Sequence, residues 1–256
     1  MKTSGNTILV TGGGSGIGEA LAHRWHDAGN TVIIAGRRQE ALDRAADGRA
    51  NIHTLTLDIE RADAIEDFGR RLVAAHPAVN VLVNNAGIMR FEALDERRDL
   101  SDAEATITTN LLGPIRLIDA LVEHLAAQPD AAIINVTSGL AFVPRVDAAT
   151  YSATKAAIHS YTVSLREMLK SRIEVIELAP PGVQTDLTPG QVDRSGYMPL
   201  ADYADEVMTL FGQEPTPPEI LVERVKPFRN AEADDRFDAM VGMLSQVARA
   251  SRADKH

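Results

Sequence analysis

The chain has 256 residues, 45% hydrophobic and 24% charged. That is enough to bury one large core in ordinary globular proportions, which excludes disorder and fibrous repeats. A net charge of −10 and a pI near 5.2 repel phosphate backbones and anionic lipid surfaces. The absence of cysteine removes disulfides, thiolate metal sites and cysteine nucleophiles. Neither nucleic acid nor membrane is therefore an expected partner.

Met1 and Lys2 run directly into a Gly/Asn turn and a first strand over 7–11. No apolar run reaches signal-peptide or membrane length, so a cytoplasmic location is expected. Short β-branched runs predict further strands at 31–34, 52–57, 79–83, 132–136 and 173–178. They are almost continuously apolar, as strands covered on both faces must be. Their alternation with helical patterns predicts an α/β fold of three layers, a doubly wound parallel sheet of about seven strands with helices on both faces, Rossmann-like, in a single domain over 1–256.

After the first strand, Ile17, Leu21, Trp25 and Ala28 recur at near-helical spacing, and Gly29-Asn30 marks the helix end. His23 and His26 share a turn of this helix, but no acid stands at ligand spacing; a solvated face is expected and no metal site. Ser101-x-x-Glu104 reads as a capping box opening a long helix toward Leu125. Residues 219–225 suit a seventh strand at an edge, where their charges are tolerated. The stretch 188–215 reads as a lid-like substrate region. The C-terminal helix over 231–256 carries Phe237, Met240, Leu244 and Val247 on one stripe, suited either to its own domain or to a subunit contact or lid.

Chemistry concentrates in a few motifs. Thr11-Gly12-Gly13-Gly14-Ser15-Gly16-Ile17-Gly18 joins the first strand to the first helix, the order a dinucleotide site needs. Glycines let the backbone approach a ligand, and the helix N-terminus attracts a pyrophosphate. At the end of the second strand stand Gly36, Arg37 and Arg38. A carboxylate there would hold the ribose 2′-hydroxyl of NAD, whereas two cations in its place favour the 2′-phosphate of NADP (NADPH). Tyr151 and Lys155, four residues apart, share one helix face. The ammonium is expected to bring the phenol pKa down from about 10. Ser138 closes the fifth strand, where side chains project into the ligand crevice. Pro114 lacks the N–H that the Asn110 carbonyl would accept in a helix, which frees that carbonyl for a water.

These motifs in this order resemble the short-chain dehydrogenase/reductase family over roughly residues 5 to 186. The segments 134–144 and 221–227 look like its DltE-like branch. The resemblance implies a catalytic tetrad of Asn110, Ser138, Tyr151 and Lys155. It implies cofactor contacts from Gly12, Ser15, Gly16, Ile17 and Gly18, from Arg37 and Arg38, and from Asp58 and Ile59 beside the adenine. Asn84, Ala86 and Gly87 of Asn-Asn-Ala-Gly would contact the cofactor, as would Tyr151 and Lys155. Pro181, Val183 and Thr185 would lie near the carboxamide, although Pro181 stands where the family has glycine. Substrate contacts would come from Ser138, Leu140 and Tyr151, and the assembly would be a homodimer or homotetramer. Leu140, Phe142, Val143, Met89 and the stretch 187–198 suggest an apolar pocket for a medium-sized ketone or aldehyde. The expected activity is hydride transfer between NADPH, with NAD less favoured, and a carbonyl or alcohol; the alternative is a catalytically weak NADP(H) sensor on the same fold.

Overall fold

The β-branched runs form seven strands in the computed structural model, which describes the backbone of residues 1–253 and the side chains of residues 1–249. They are β1 (Thr7–Thr11), β2 (Thr31–Gly36), β3 (Ile52–Thr56), β4 (Val81–Asn84), β5 (Ala132–Val136), β6 (Glu174–Leu178) and β7 (Glu219–Ile220). All pair in parallel, in the order β3-β2-β1-β4-β5-β6-β7. Side chains alternate between two cores. Ile8, Val10, Val32 and Ile34 face one cluster, and Leu9, Ile33 and Ala35 face the other.

The first core is closed by α1 (Gly16–Asp27), α2 (Gln39–Ala46) and α7 (Leu200–Phe211). The second lies under α3 (Ala62–Ala75), α5 (Gly113–Ala126) and α6 (Ala149–Leu169). Trp25 of α1 meets Phe211 of α7 edge-on at 5.8 Å, both fully buried. Truncating either to alanine would cost about 3–5 kcal/mol. Among the described residues no helix is long and apolar enough to cross a membrane.

Several expectations are corrected. The seventh strand stops at Ile220, and Glu223–Val225 is a 3₁₀ turn leading into α8 (Lys226–Arg229). Its neighbour β6 runs into Pro180-Pro181, which have no N–H to extend a ladder. The long helix is divided into α4 (Ser101–Ile107), a π turn over Thr108–Leu112 and α5. The capping box is absent: Asp99 accepts both the Ser101 N–H and the Ser101 hydroxyl at 3.0 Å, so the cap lies two residues earlier. Within 188–215, residues 200–211 form the core helix α7, with Tyr203, Ala204, Val207 and Phe211 buried.

The remaining part arches over the site, pinned where Val183 bridges Met198 and the Met198 N–H donates to the Gly182 carbonyl at 2.8 Å. The last helix, α9 (Phe237–Ala253), packs on its own domain. Phe237, Met240 and Leu244 meet Phe228, Val143 and Ala231, and the predicted residues 254–256 lie outside the described residues. His23 and His26 are half-buried and hydrogen-bonded at the surface: their ring nitrogens lie 2.7 Å from the Ala45 carbonyl and 2.9 Å from Asp27 Oδ1.

Candidate active site

The strand order reverses between β1 and β4, which opens a crevice at their C-terminal ends. A cleft of about 440 Å³ lies there, within the range of small-molecule sites. The glycine loop forms its floor. Gly12 and Gly16 have φ of +67° and +56°, values that disfavour any side chain. At Gly18 a Cβ would lie 2.4 Å from the Gly12 carbonyl oxygen and 2.5 Å from Asn85 Nδ2.

Asn85, not singled out from the sequence, clamps this loop. Its Nδ2 donates to the Thr11 carbonyl at 2.9 Å, while the Thr11 hydroxyl accepts the N–H groups of Asn85 and Ala86 at 3.0 and 3.1 Å. No side chain caps α1, since the Ser15 hydroxyl makes no capping bond. The first N–H groups of the helix are left for a ligand anion, so loop and helix fit a diphosphate.

Gly12, Ser15, Gly16, Ile17, Arg37, Arg38, Ala86 and Gly87 line the cleft, as do Pro181, Val183 and Thr185. An adjoining recess reaches Ile59 and Glu60. Three expected contacts stand apart from both. Gly18 acts through packing. The Asp58 carboxylate accepts the Glu60 N–H at 3.1 Å and closes its own turn. Asn84 points behind the crevice, donating to Asn135 Oδ1 at 2.9 Å. At the end of β2, Arg37 Nη1 meets Glu60 Oε1 at 3.1 Å, whereas Arg38 has no ion pair among the described residues.

Ser138, Tyr151 and Lys155 converge, all buried. Ser138 caps the 3₁₀ turn Gly139–Ala141, its Oγ accepting the Leu140 N–H at 3.1 Å, and its hydroxyl lies near enough to the Tyr151 phenol to favour the phenolate. Lys155 Nζ donates to the Val136 carbonyl at 2.8 Å and lies 5.7 Å from the Tyr151 ring centroid. The expected fall in the phenol pKa is reversed in this pocket. Burial pushes Tyr151 up to about 12, with Ser138 opposing, and pushes Lys155 down to about 8. Desolvation is the largest cause of both shifts.

Asn110 lines neither the cleft nor the recess. Its side chain forms a two-way clamp on Ile88, accepting the N–H and donating to the carbonyl, each at 2.9 Å, and its Nδ2 also donates to Thr154 at 3.3 Å. Asn110 thereby ties the exit of β4 to the first turns of α6, and it lies within the π turn ahead of Pro114.

A second pocket, of about 140 Å³, shares Ser138, Tyr151, Leu187 and Gln191 with the cleft. Met89, Leu140, Phe228 and Leu244 supply its apolar walls. Phe142 and Val143 do not line it. The chain coils at Gly139–Ala141 and turns them outward, Phe142 against His159 and Val143 under α9. Arg145 and Tyr197 take their place. Arg145 carried no sequence signal, whereas Tyr197 and Gln191 fall in the stretch 187–198 expected at the pocket; Gln191 Nε2 ties the arch to the Val183 carbonyl at 2.8 Å and to Thr185 at 3.1 Å.

Residues 6–195 match the family described as short chain dehydrogenase. The chain is 39% identical over 241 residues to DltE of Bacillus subtilis (strain 168), described as an uncharacterized oxidoreductase, covering 92% of this chain and 95% of that one. It is 32% identical over 186 residues to sulfoacetaldehyde reductase 2 of Chromohalobacter salexigens, covering 71% and 74%. A crystal structure of a short chain dehydrogenase from Burkholderia cenocepacia J2315 in complex with NADP superposes with a TM-score of 0.81 at 26% identity, covering 95% of this chain and 99% of that one. The chain belongs to the short-chain dehydrogenase/reductase family of oxidoreductases.

Proposed function

We propose that this protein is an NADP(H)-dependent oxidoreductase acting on a carbonyl/alcohol substrate with a medium-sized apolar body. One observation carries the reading: Ser138 and Tyr151 stand on the wall shared by the dinucleotide-sized cleft and the small, mostly apolar pocket. A reacting carbon in the pocket is then within reach of both a cofactor and an acid. When bound, the nicotinamide ring supplies or accepts the hydride and is cationic in its oxidised form.

In this reading Tyr151 protonates the developing alkoxide. With its pKa pushed up to about 12 by burial, it enters the reaction as phenol, the form an acid requires. Ser138 holds the substrate oxygen through the hydroxyl that lies near the Tyr151 phenol. Lys155 anchors the ribose hydroxyls, and the Asn110 carbonyl holds a water that extends the proton path toward solvent. Gly12, Gly16 and the uncapped start of α1 take the diphosphate, and Val183 and Thr185 take the carboxamide.

The absence of an acid at Gly36, together with Arg37 and Arg38, supports NADP over NAD. We further read the protein as a cytoplasmic homodimer or homotetramer, with the exposed Val163 and Met168 of α6 available to a subunit contact.

The test is NADPH consumption against a panel of ketones and aldehydes. Tyr151→Phe is expected to lower kcat by about 10²–10⁴-fold while leaving NADPH binding intact. Tight NADPH binding with no panel member reduced would favour a sensor instead, and equal use of NADH would remove the NADP preference.

A further inference from the structure

The small pocket has one feature that an apolar substrate does not explain. Arg145 lines it and is itself buried. Its Nε and Nη2 donate to the two oxygens of Asp147 at 2.6 and 2.9 Å, while Asp147 does not line the pocket. Arg145 thus faces the cavity with its guanidinium beside Tyr197, another pocket residue, while the neutralising carboxylate does not line it. Phe91 stacks beneath at 5.3 Å. Burial works against the charge, but Asp147, with Tyr197 adding to it, holds the guanidinium above its ordinary range. The Arg145 N–H donates to Ser152 at 3.2 Å in the first turn of α6, so the group is fixed relative to Tyr151.

Resting on the reductase reading, we propose that Arg145 is a specificity-determining residue. It receives a second, uncharged hydrogen-bond acceptor on the substrate, a ketone, ester or amide oxygen, and its pairing with Asp147 disfavours a carboxylate there. A neutral oxygen gains a charge-assisted donor. An anion meets a pair whose net charge is zero and must shed its own hydration to enter. The apolar walls, Met89, Leu140, Leu187, Phe228 and Leu244, offer an anion nothing in return, and the polar lining, Ser138, Tyr151, Gln191 and Tyr197, brings no second cation.

The experiment compares three substrates of equal chain length, a plain alkyl ketone, its keto ester and its keto acid, by kcat/KM with NADPH. In the native protein the ester is expected to exceed both others by about tenfold or more, the scale of a hydrogen bond to a charged group. Arg145→Lys keeps a cation for Asp147 but loses the planar fork, so the ester-to-ketone ratio should collapse, chiefly through KM. The intrinsic reactivity of the ester is common to both enzymes and cancels in that comparison. Asp147→Asn, close in shape, should raise the acid-to-ester ratio. Equal use of ester and ketone by the native protein, a preference for the acid, or an Arg145→Lys variant that slows ketone and ester alike would each overturn the proposal while leaving the reductase reading standing. If NADPH binds but none of the three is reduced, the reductase reading fails and this assignment falls with it.

Discussion

Glu92, in the loop after β4, caps the helix that carries Tyr151: its Oε2 accepts the Thr150 N–H at 2.7 Å and its Oε1 accepts the Thr150 hydroxyl at 2.7 Å. The helix has no cap of its own, because its N-cap position is Ala148. Arg98 completes the arrangement at 2.9 Å from Glu92 Oε1. The carboxylate thus satisfies orphan donors and faces the positive end of α6.

Glu92→Gln should therefore cost about 1–2 kcal/mol of stability. Burial raises the Glu92 pKa, but the Thr150 N–H and hydroxyl and the Arg98 cation prevail and hold it below the ordinary value. A carboxylate depressed in this way stabilises the fold fully above its unfolded pKa of about 4.3, and the contribution is lost as pH falls through the lower folded value. Urea unfolding of the native and Gln forms between pH 3 and 7 should show the gap closing at the acid end. A gap that does not change with pH would refute the ionic part of the cap.

Lys155 should leave the opposite signature. Its folded pKa of about 8 lies below the ordinary lysine value of 10.5, so folding disfavours its charged form. The penalty is fully present below about pH 8 and disappears as pH rises to the unfolded value. Relative to Lys155→Met, the native protein should gain stability between pH 8 and 10.5, by an amount on the order of 3 kcal/mol at most. Paired denaturation curves at pH 7.5 and 10 measure this slope, and parallel curves would refute it.

Glu60 occupies Arg37 at the edge of the recess that Arg38 also lines. Glu60→Gln should release Arg37 and remove a negative charge from the position expected for a 2′-phosphate. KM for NADPH should fall severalfold with little change for NADH. Arg37→Ala combined with Arg38→Ala should raise KM for NADPH by about 10–100-fold, the range for hydrogen bonds to charged groups. Steady-state kinetics with both cofactors would read the two effects, and an equal rise for NADH would deny Arg37 and Arg38 any selective role.

Gly18 acts by close approach. A methyl group there would press on the Gly12 carbonyl and the Asn85 side chain, and both are backed by fixed backbone. Gly18→Ala should cost about 1–3 kcal/mol through overpacking and weaken NADPH binding at least tenfold. Melting temperature and cofactor titration would measure the two effects, and unimpaired binding would show that the loop tolerates the displacement.

The parts of the site that were legible in the sequence are those whose geometry is local. Gly12 to Gly18 sit between a strand and a helix that their own neighbours specify. Tyr151 and Lys155 share a face because four residues make about one helical turn. The strands were readable because burial on both faces demands continuous β-branched runs, and their ends moved only by a few residues. By contrast, the direction of the Tyr151 pKa is not legible in the spacing, which places the lysine, because only the closed pocket sets the desolvation.

What the amino-acid order determined by itself was the sheet, the glycine loop and the pairing of phenol with amine, since each follows from contacts within a turn or from strand alternation. Only the tertiary structure decided that Glu92 would cap a helix 58 residues away, that Arg37 would be held by Glu60, and that Arg145 rather than Phe142 would enter the pocket. These are meetings of side chains distant along the chain. Their geometry is fixed by how the sheet stacks the loops at its C-terminal edge, and no local preference encodes it.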